Sequence, residues 1–203
     1  PEAIPPKAVV AENKPAPKIS KAEPKQNPKI SHSSAKNLHW TQMSDEQMRE
    51  IYGNYSRDIT KPYSGSAEDL NKYLKGKGVL SEQGQAFIDA QNKYGISAAV
   101  LAGIAISESG GTSSLARKRF NVTSISSSRG WRRFNNVSEC IDYTASMLAN
   151  RYVKNSGLSG VSLKTLYQIN AKYCPVSDTR NNSSNNRFWA QNVENKVREI
   201  EKA

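Results

Sequence analysis

Cysteine and histidine are scarce in this 203-residue chain: Cys140, Cys174, His32 and His39 are all it has. Two thiols cannot build a zinc site without histidines, and both histidines sit in or beside the N-terminal arm. A Cys–His nucleophile pair fails on the same ground, so neither a metal nor a cofactor is expected. No apolar run approaches the roughly 20 residues that a transmembrane helix needs, so no integral membrane segment is expected. The chain opens on Pro1, not Met, and the lack of a secretory segment there says nothing of its address. Apolar residues make up only 36% of the composition and mean hydropathy is −0.69. Acids are missing from one long stretch, since nothing between Glu108 and Glu139 carries a carboxyl.

The apolar deficit is uneven. Seven of the nine prolines fall in residues 1–39, together with seven lysines against three glutamates. Residues 1–38 read as a disordered Lys/Pro-rich tether, too poor in apolar groups to offset the entropy of ordering. Residues 39–203 remain as one domain. Whole-chain charge is +11, which attracts polyanions such as nucleic acid, acidic lipid or the anionic polymers of a bacterial wall. Arg117, Lys118, Arg119, Arg129, Arg132 and Arg133 cluster around a Ser-rich loop. They form either a solvated face or an anion-facing rim. They are not interleaved with aromatics as in a nucleic-acid groove, so no nucleic-acid partner is expected. A Cys140–Cys174 disulfide would suit an exported protein, and two core thiols are equally compatible with the spacing.

Beyond the arm the pattern is helical. Ser44 with Gln47 makes a capping box before a short helix, and Ser66 caps another that carries Leu70, Tyr73 and Leu74. A third helix is expected over Ser81–Tyr94, stopped by Gly95. Ser97 then caps Ala98–Ile106, apolar all round and therefore buried in the core. Residues 119–134 read as irregular or weakly β. Further helices are expected over Val137–Tyr152, Leu163–Ile169 and Phe188–Ile200, with a polar loop from Ser177 to Asn186.

Glu108 breaks the local rule. It ends a helix that otherwise accepts nothing polar larger than Ser107, and a Gly-Gly break follows. The negative end of a helix and low-dielectric surroundings both raise a carboxyl pKa. A carboxylic acid that keeps its proton near neutral pH is what general acid catalysis requires. The bland alternative is a frayed last-turn Glu pointing into water.

The blocks around it carry a resemblance. They are Ser66–Gly78, Phe87–Ala90, Lys93–Ile96, Ala105–Ser113 (AISESGGTS), Phe120–Ser124, Phe134–Glu139, Tyr173–Asp178 and Trp189–Val193. In this order they resemble the glucosaminidase family of peptidoglycan hydrolases (glycoside hydrolase family 73), from about residue 64 to the C-terminus. The resemblance implies a mainly α, lysozyme-like domain with a short irregular or β-like lobe. It also implies cleavage of the β-1,4 bond after N-acetylglucosamine in wall glycan, with Glu108 as the acid.

Two departures stand out. Gly111 replaces the Trp usual in the E-S-G-W-G block, and Ser126, Ser127 and Ser128 lie where a second carboxylate is often supplied. Without that carboxylate, the substrate's own N-acetyl group or a held water must complete the reaction. Tyr173 is the leading candidate for a second site residue. Trp131 could stack on a sugar face, and Asn121 could bind an acetamido group or simply make a turn. Trp189 reads as core, while Glu139 and Asp142 read as solvent charges. A lytic transglycosylase, a muramidase or an inactive wall-binding or assembly module of the same fold are the alternatives. A monomer is expected, extracellular, wall-associated or part of a phage particle.

Overall fold

A computed structural model describes residues 38–176 and 185–203; residues 1–37 of the tether and most of the Ser177–Asn186 stretch, Asp178 included, lie outside the described residues. Side-chain caps start the first helices where the sequence places them. Ser44 Oγ accepts from Gln47 N while the Gln47 side chain accepts from Ser44 N, and α1 runs Asp45–Tyr52. Ser66 and Asp69 close the same reciprocal box at α2, Ala67–Leu74. The third helix is shorter than expected. Leu80 and Ser81 instead end a 3-10 turn over Gly78–Leu80, and Glu82 adopts φ +63°, which no right-handed helix accommodates. α3 therefore begins at Gly84 and runs Gly84–Tyr94, ended by the left-handed Gly95.

α4, Ala98–Ser109, is the central helix, and its first eight residues are all buried. Ser97 precedes it without a side-chain cap bond. Gln91 of α3 does that work: its Oε1 accepts from both Ala98 N and Tyr63 N at 2.8 Å. α8, Trp189–Ile200, lies along α4. Gly103 permits this approach, because a Cβ there would stand 3.0 Å from Val197 Cγ2 and 3.2 Å from Val193 O. Around this pair pack α6, Val137–Leu148, which continues as a π turn over Ala149–Lys154, and α7, Leu166–Tyr173. α7 starts later than its apolar pattern suggests. Leu163 is buried in the preceding extended segment, its N–H donating to Tyr152 O, and Thr165 with Gln168 opens the helix.

Between α4 and α6 lies the small lobe. It holds α5, Ser114–Arg119, a turn of helix not anticipated from sequence, and a hairpin of β1, Ser126–Ser127, and β2, Gly130–Trp131. The strands are antiparallel, with Ser126 opposite Trp131 and Ser127 opposite Gly130. The fold is thus mainly α with a short β-like lobe, as the resemblance implied. Among the described residues no helix is long and apolar enough to cross a membrane. Cys140 and Cys174 are both thiols, with Cys140 Sγ 3.3 Å from Thr123 Oγ1 and Cys174 Sγ accepting from Asn170 Nδ2 at 3.2 Å.

Candidate active site

Glu108 sits in the last turn of α4, four residues after the buried Ile104. Its side chain is half-buried, and its Oε1 accepts a 2.8 Å hydrogen bond from Nε1 of Trp189, the first residue of α8. Trp189 is a core residue, as expected, yet also a site residue that pattern reading missed. A buried indole must place its N–H on an acceptor, and here that acceptor is the candidate acid. Burial pushes the Glu108 carboxyl above its ordinary pKa, and hydrogen bonds from Trp189 and Ser124 partly oppose that rise. Among the described residues no ionised group contributes to the shift. The arrangement can therefore hold a proton and present it in a fixed orientation.

Tyr173 ends α7 beside this pair. Its ring centroid is 5.2 Å from that of Trp189 and 6.4 Å from that of Tyr152. Burial first, then the neighbouring Glu108 charge, raises its phenol well above the usual value, so the group stays protonated. That proton goes to the Thr123 carbonyl oxygen at 2.7 Å. Tyr173 thus adjoins the acid, with its hydroxyl committed to a loop.

Asn121 lies in the same loop, with none of its surface exposed. Its Nδ2 donates to Ile125 O at 2.8 Å and Arg132 O at 3.1 Å, and its Oδ1 accepts from Ile125 N at 2.8 Å. Both amide hydrogens are used, which makes Asn121 a strut behind the site; of the two roles open to it, the turn is what this geometry displays. Trp131 is different. It is 46% exposed on β2, and its carbonyl accepts from the Arg119 guanidinium at 2.9 Å. Since Trp131 faces Ser126, and Ser126 is two residues from Ser124, this ring lies within about 15 Å of Ser124 by chain geometry.

The basic residues of the lobe, Arg117, Lys118, Arg119, Arg129, Arg132 and Arg133, are all exposed. Two of the guanidinium groups also staple the lobe, Arg119 through Trp131 O and Arg133 through Lys118 O. Asp142, taken as a solvent charge, pairs with Lys93 and Tyr94 at 2.8 Å, and Glu139 accepts from Asn135 N at 2.7 Å.

Gly111 explains the missing Trp. Its φ is +72°, and a Cβ there would fall 2.0 Å from Lys77 O. Val79 N donates to Gly111 O at 3.0 Å, so the Gly78–Leu80 turn closes directly onto the end of α4 and leaves no room for a side chain. Two surface depressions, one lined by Val153–Ser162 and one by Asn54, Arg57, Glu194 and their neighbours, do not include Glu108. Among the described residues no group of three or more His, Cys, Asp or Glu side chains is placed to hold a metal.

One carboxyl whose pKa burial raises, at the end of the central helix of a small helical domain, matches the lysozyme-like construction that the resemblance implies. The particular family follows from comparison. The glucosaminidase model, described as mannosyl-glycoprotein endo-beta-N-acetylglucosaminidase, matches residues 84–202, and the chain belongs to this family. Bifunctional autolysins are similar over 107 residues, 51% of this chain: that of Staphylococcus epidermidis is 37% identical and that of Staphylococcus aureus strain Mu50 is 35% identical. The chain spans 8% and 9% of the length of those relatives. Among solved structures, a catalytic mutant of S. aureus autolysin E in complex with the disaccharide NAG-NAM superposes with TM-score 0.60 at 22% identity, covering 79% of each chain. Autolysin E by itself gives 0.57 at 24% identity, over 80% of this chain and 75% of that one. At these identities the likeness establishes the fold.

Proposed function

We propose that this chain cleaves the β-1,4 bond after N-acetylglucosamine in peptidoglycan glycan strands, with Glu108 as general acid. The observation that carries this reading is the Glu108 carboxyl: burial favours its protonated form, and the Trp189 N–H holds one oxygen at 2.8 Å so that the other can meet a bridging oxygen. Glu108 gives its proton to that oxygen as the C1–O bond breaks, and the departing sugar leaves with a neutral hydroxyl. Positive charge develops at C1. With no carboxyl from Ser109 to Ser138, the substrate's own acetamido oxygen is the group that attacks C1. Water then opens the resulting ring, giving its proton to the Glu108 carboxylate.

Trp131 offers an exposed apolar platform for a sugar face. Tyr173 and Asn121 act from behind, through the loop that both hold. The exposed basic lobe suits the anionic polymers of a wall, an extracellular or wall-associated setting fits that substrate, and the chain works as a monomer.

The deciding experiment uses purified sacculi. Wild type is expected to release fragments ending in reducing N-acetylglucosamine, and Glu108→Gln to lose at least about 10³-fold of that rate while remaining folded. A muramic-acid end, reduced or anhydro, would instead mark a muramidase or transglycosylase. Gly111 and the acid-free lobe motivate a second reading, a wall-binding module without turnover. Sedimentation with sacculi and no released ends would support it.

A further inference from the structure

α8 begins without a cap of its own. Phe188 precedes it and makes no side-chain cap bond, although the first N–H groups of a helix have no partner inside it. The cap comes from α7. Asn170 Oδ1 accepts from Ala190 N at 3.0 Å, across a separation of 20 residues. The other end of the same amide is also committed: Nδ2 donates to Asn186 O at 2.9 Å and to Cys174 O at 3.2 Å. Asn170 has none of its surface exposed, and a buried carboxamide is tolerated only when its donors and its acceptor are met. One side chain therefore ties the end of α7 to the 3-10 turn Asn186–Phe188 and to the start of α8. The residue that starts α8 is Trp189, whose Nε1 lies 2.8 Å from Glu108 Oε1. Tyr173, three residues after Asn170 on α7, lays its ring against that indole at 5.2 Å between centroids, tilted by 32°. The direction of the indole N–H is thus set from α7, by the Asn170 amide on the backbone of α8 and by the Tyr173 ring on the side chain.

We propose that Asn170 is a positioning residue for the reaction: by capping α8 it fixes the start of that helix, and with it the Trp189 N–H on the Glu108 carboxyl. This rests on the reading of Glu108 as the acid. An indole has a single N–H, so only one placement of the start of α8 delivers it to Glu108 Oε1. A displacement of about 1 Å at a reacting group can cost on the order of 10²-fold in rate. The amide could hold the two helices together without touching the reaction, and the indole is what separates the two roles.

The test compares Asn170→Ala with Trp189→Phe and with both together. Trp40, Trp131 and Trp189 give three indole N–H signals in NMR, and the one lost in Trp189→Phe is that of Trp189. In Asn170→Ala this signal should move toward the position of an unbonded indole. Its kcat on soluble glycan strands should fall about tenfold or more with KM little changed. Trp189→Phe should lose kcat to a similar degree. The double variant should then be no slower than Trp189→Phe by itself, because without the N–H nothing is left for Asn170 to place. Asn170→Ser, too short to span to Ala190 N yet able to meet one carbonyl, is read in the same way if the alanine variant does not fold. An indole signal left in place, a kcat left unchanged, or losses that multiply in the double variant would each overturn the proposal and leave a purely structural amide. Wild-type chain that releases no N-acetylglucosamine ends would defeat the acid reading itself, and the indole signal would still report whether Asn170 places Trp189.

Discussion

Glu108 carries a cost at the residue scale that can be measured apart from catalysis. Its folded pKa is raised by burial, so the folded state binds the proton more tightly than the unfolded chain does. Stability from this group is fully present below the ordinary carboxyl range and is lost as pH rises through the folded value. Glu108→Gln, which can still accept from Trp189, should therefore raise Tm at neutral pH. Each unit of upward shift corresponds to about 1.4 kcal/mol, or roughly 3–6 °C in a domain of this size. The gain should vanish near pH 4, and paired thermal melts at the two pH values check it. A Tm difference that stays constant with pH would mean that the carboxyl is not desolvated. Glu108 was legible in sequence as a candidate because one charged residue interrupts an apolar helix. The part played by Trp189 was not, since an indole N–H acquires meaning only from the acceptor that folding brings to it.

Elements meet most tightly where α4 ends. Gly111 combines a positive φ with a backbone carbonyl 2.0 Å from any added Cβ. Gly111→Ala should destabilise the domain by about 2–4 kcal/mol, from the left-handed backbone and from overpacking against Lys77; denaturant unfolding measures it. Gly110→Ala, at a left-handed residue whose added Cβ would meet only Thr112 Oγ1 at 3.7 Å, should cost only the conformational part, about 1–2 kcal/mol. The difference between the two isolates the contact with the Gly78–Leu80 turn. Element starts at Ser44 and Ser66 were readable because a capping box is closed by residues three apart. The start of α3 was not, because Glu82 breaks the helix by its backbone angle while its composition suits one. α4 likewise takes its first cap from Gln91, a residue of the preceding helix, and no local pattern encodes that.

For the whole molecule, charge is the property that reaches furthest. With a net +11 and the six exposed cations of the lobe, association with an anionic wall should be strengthened at long range and screened by salt. Hydrolysis of intact sacculi is expected to fall several-fold between about 50 mM and 500 mM salt. Hydrolysis of short uncharged N-acetylglucosamine oligomers should change little. Equal salt responses on both substrates would remove the lobe from substrate capture. The sequence alone determined the helical class, the Pro-rich arm, the charge and the interrupted core helix, because each follows from composition or from spacing along a single element. Tertiary structure alone decided which groups surround Glu108. α8 and α7 reach it from positions 81 and 65 residues away (Trp189 and Tyr173), and desolvation and hydrogen bonding depend on distance in space rather than along the chain.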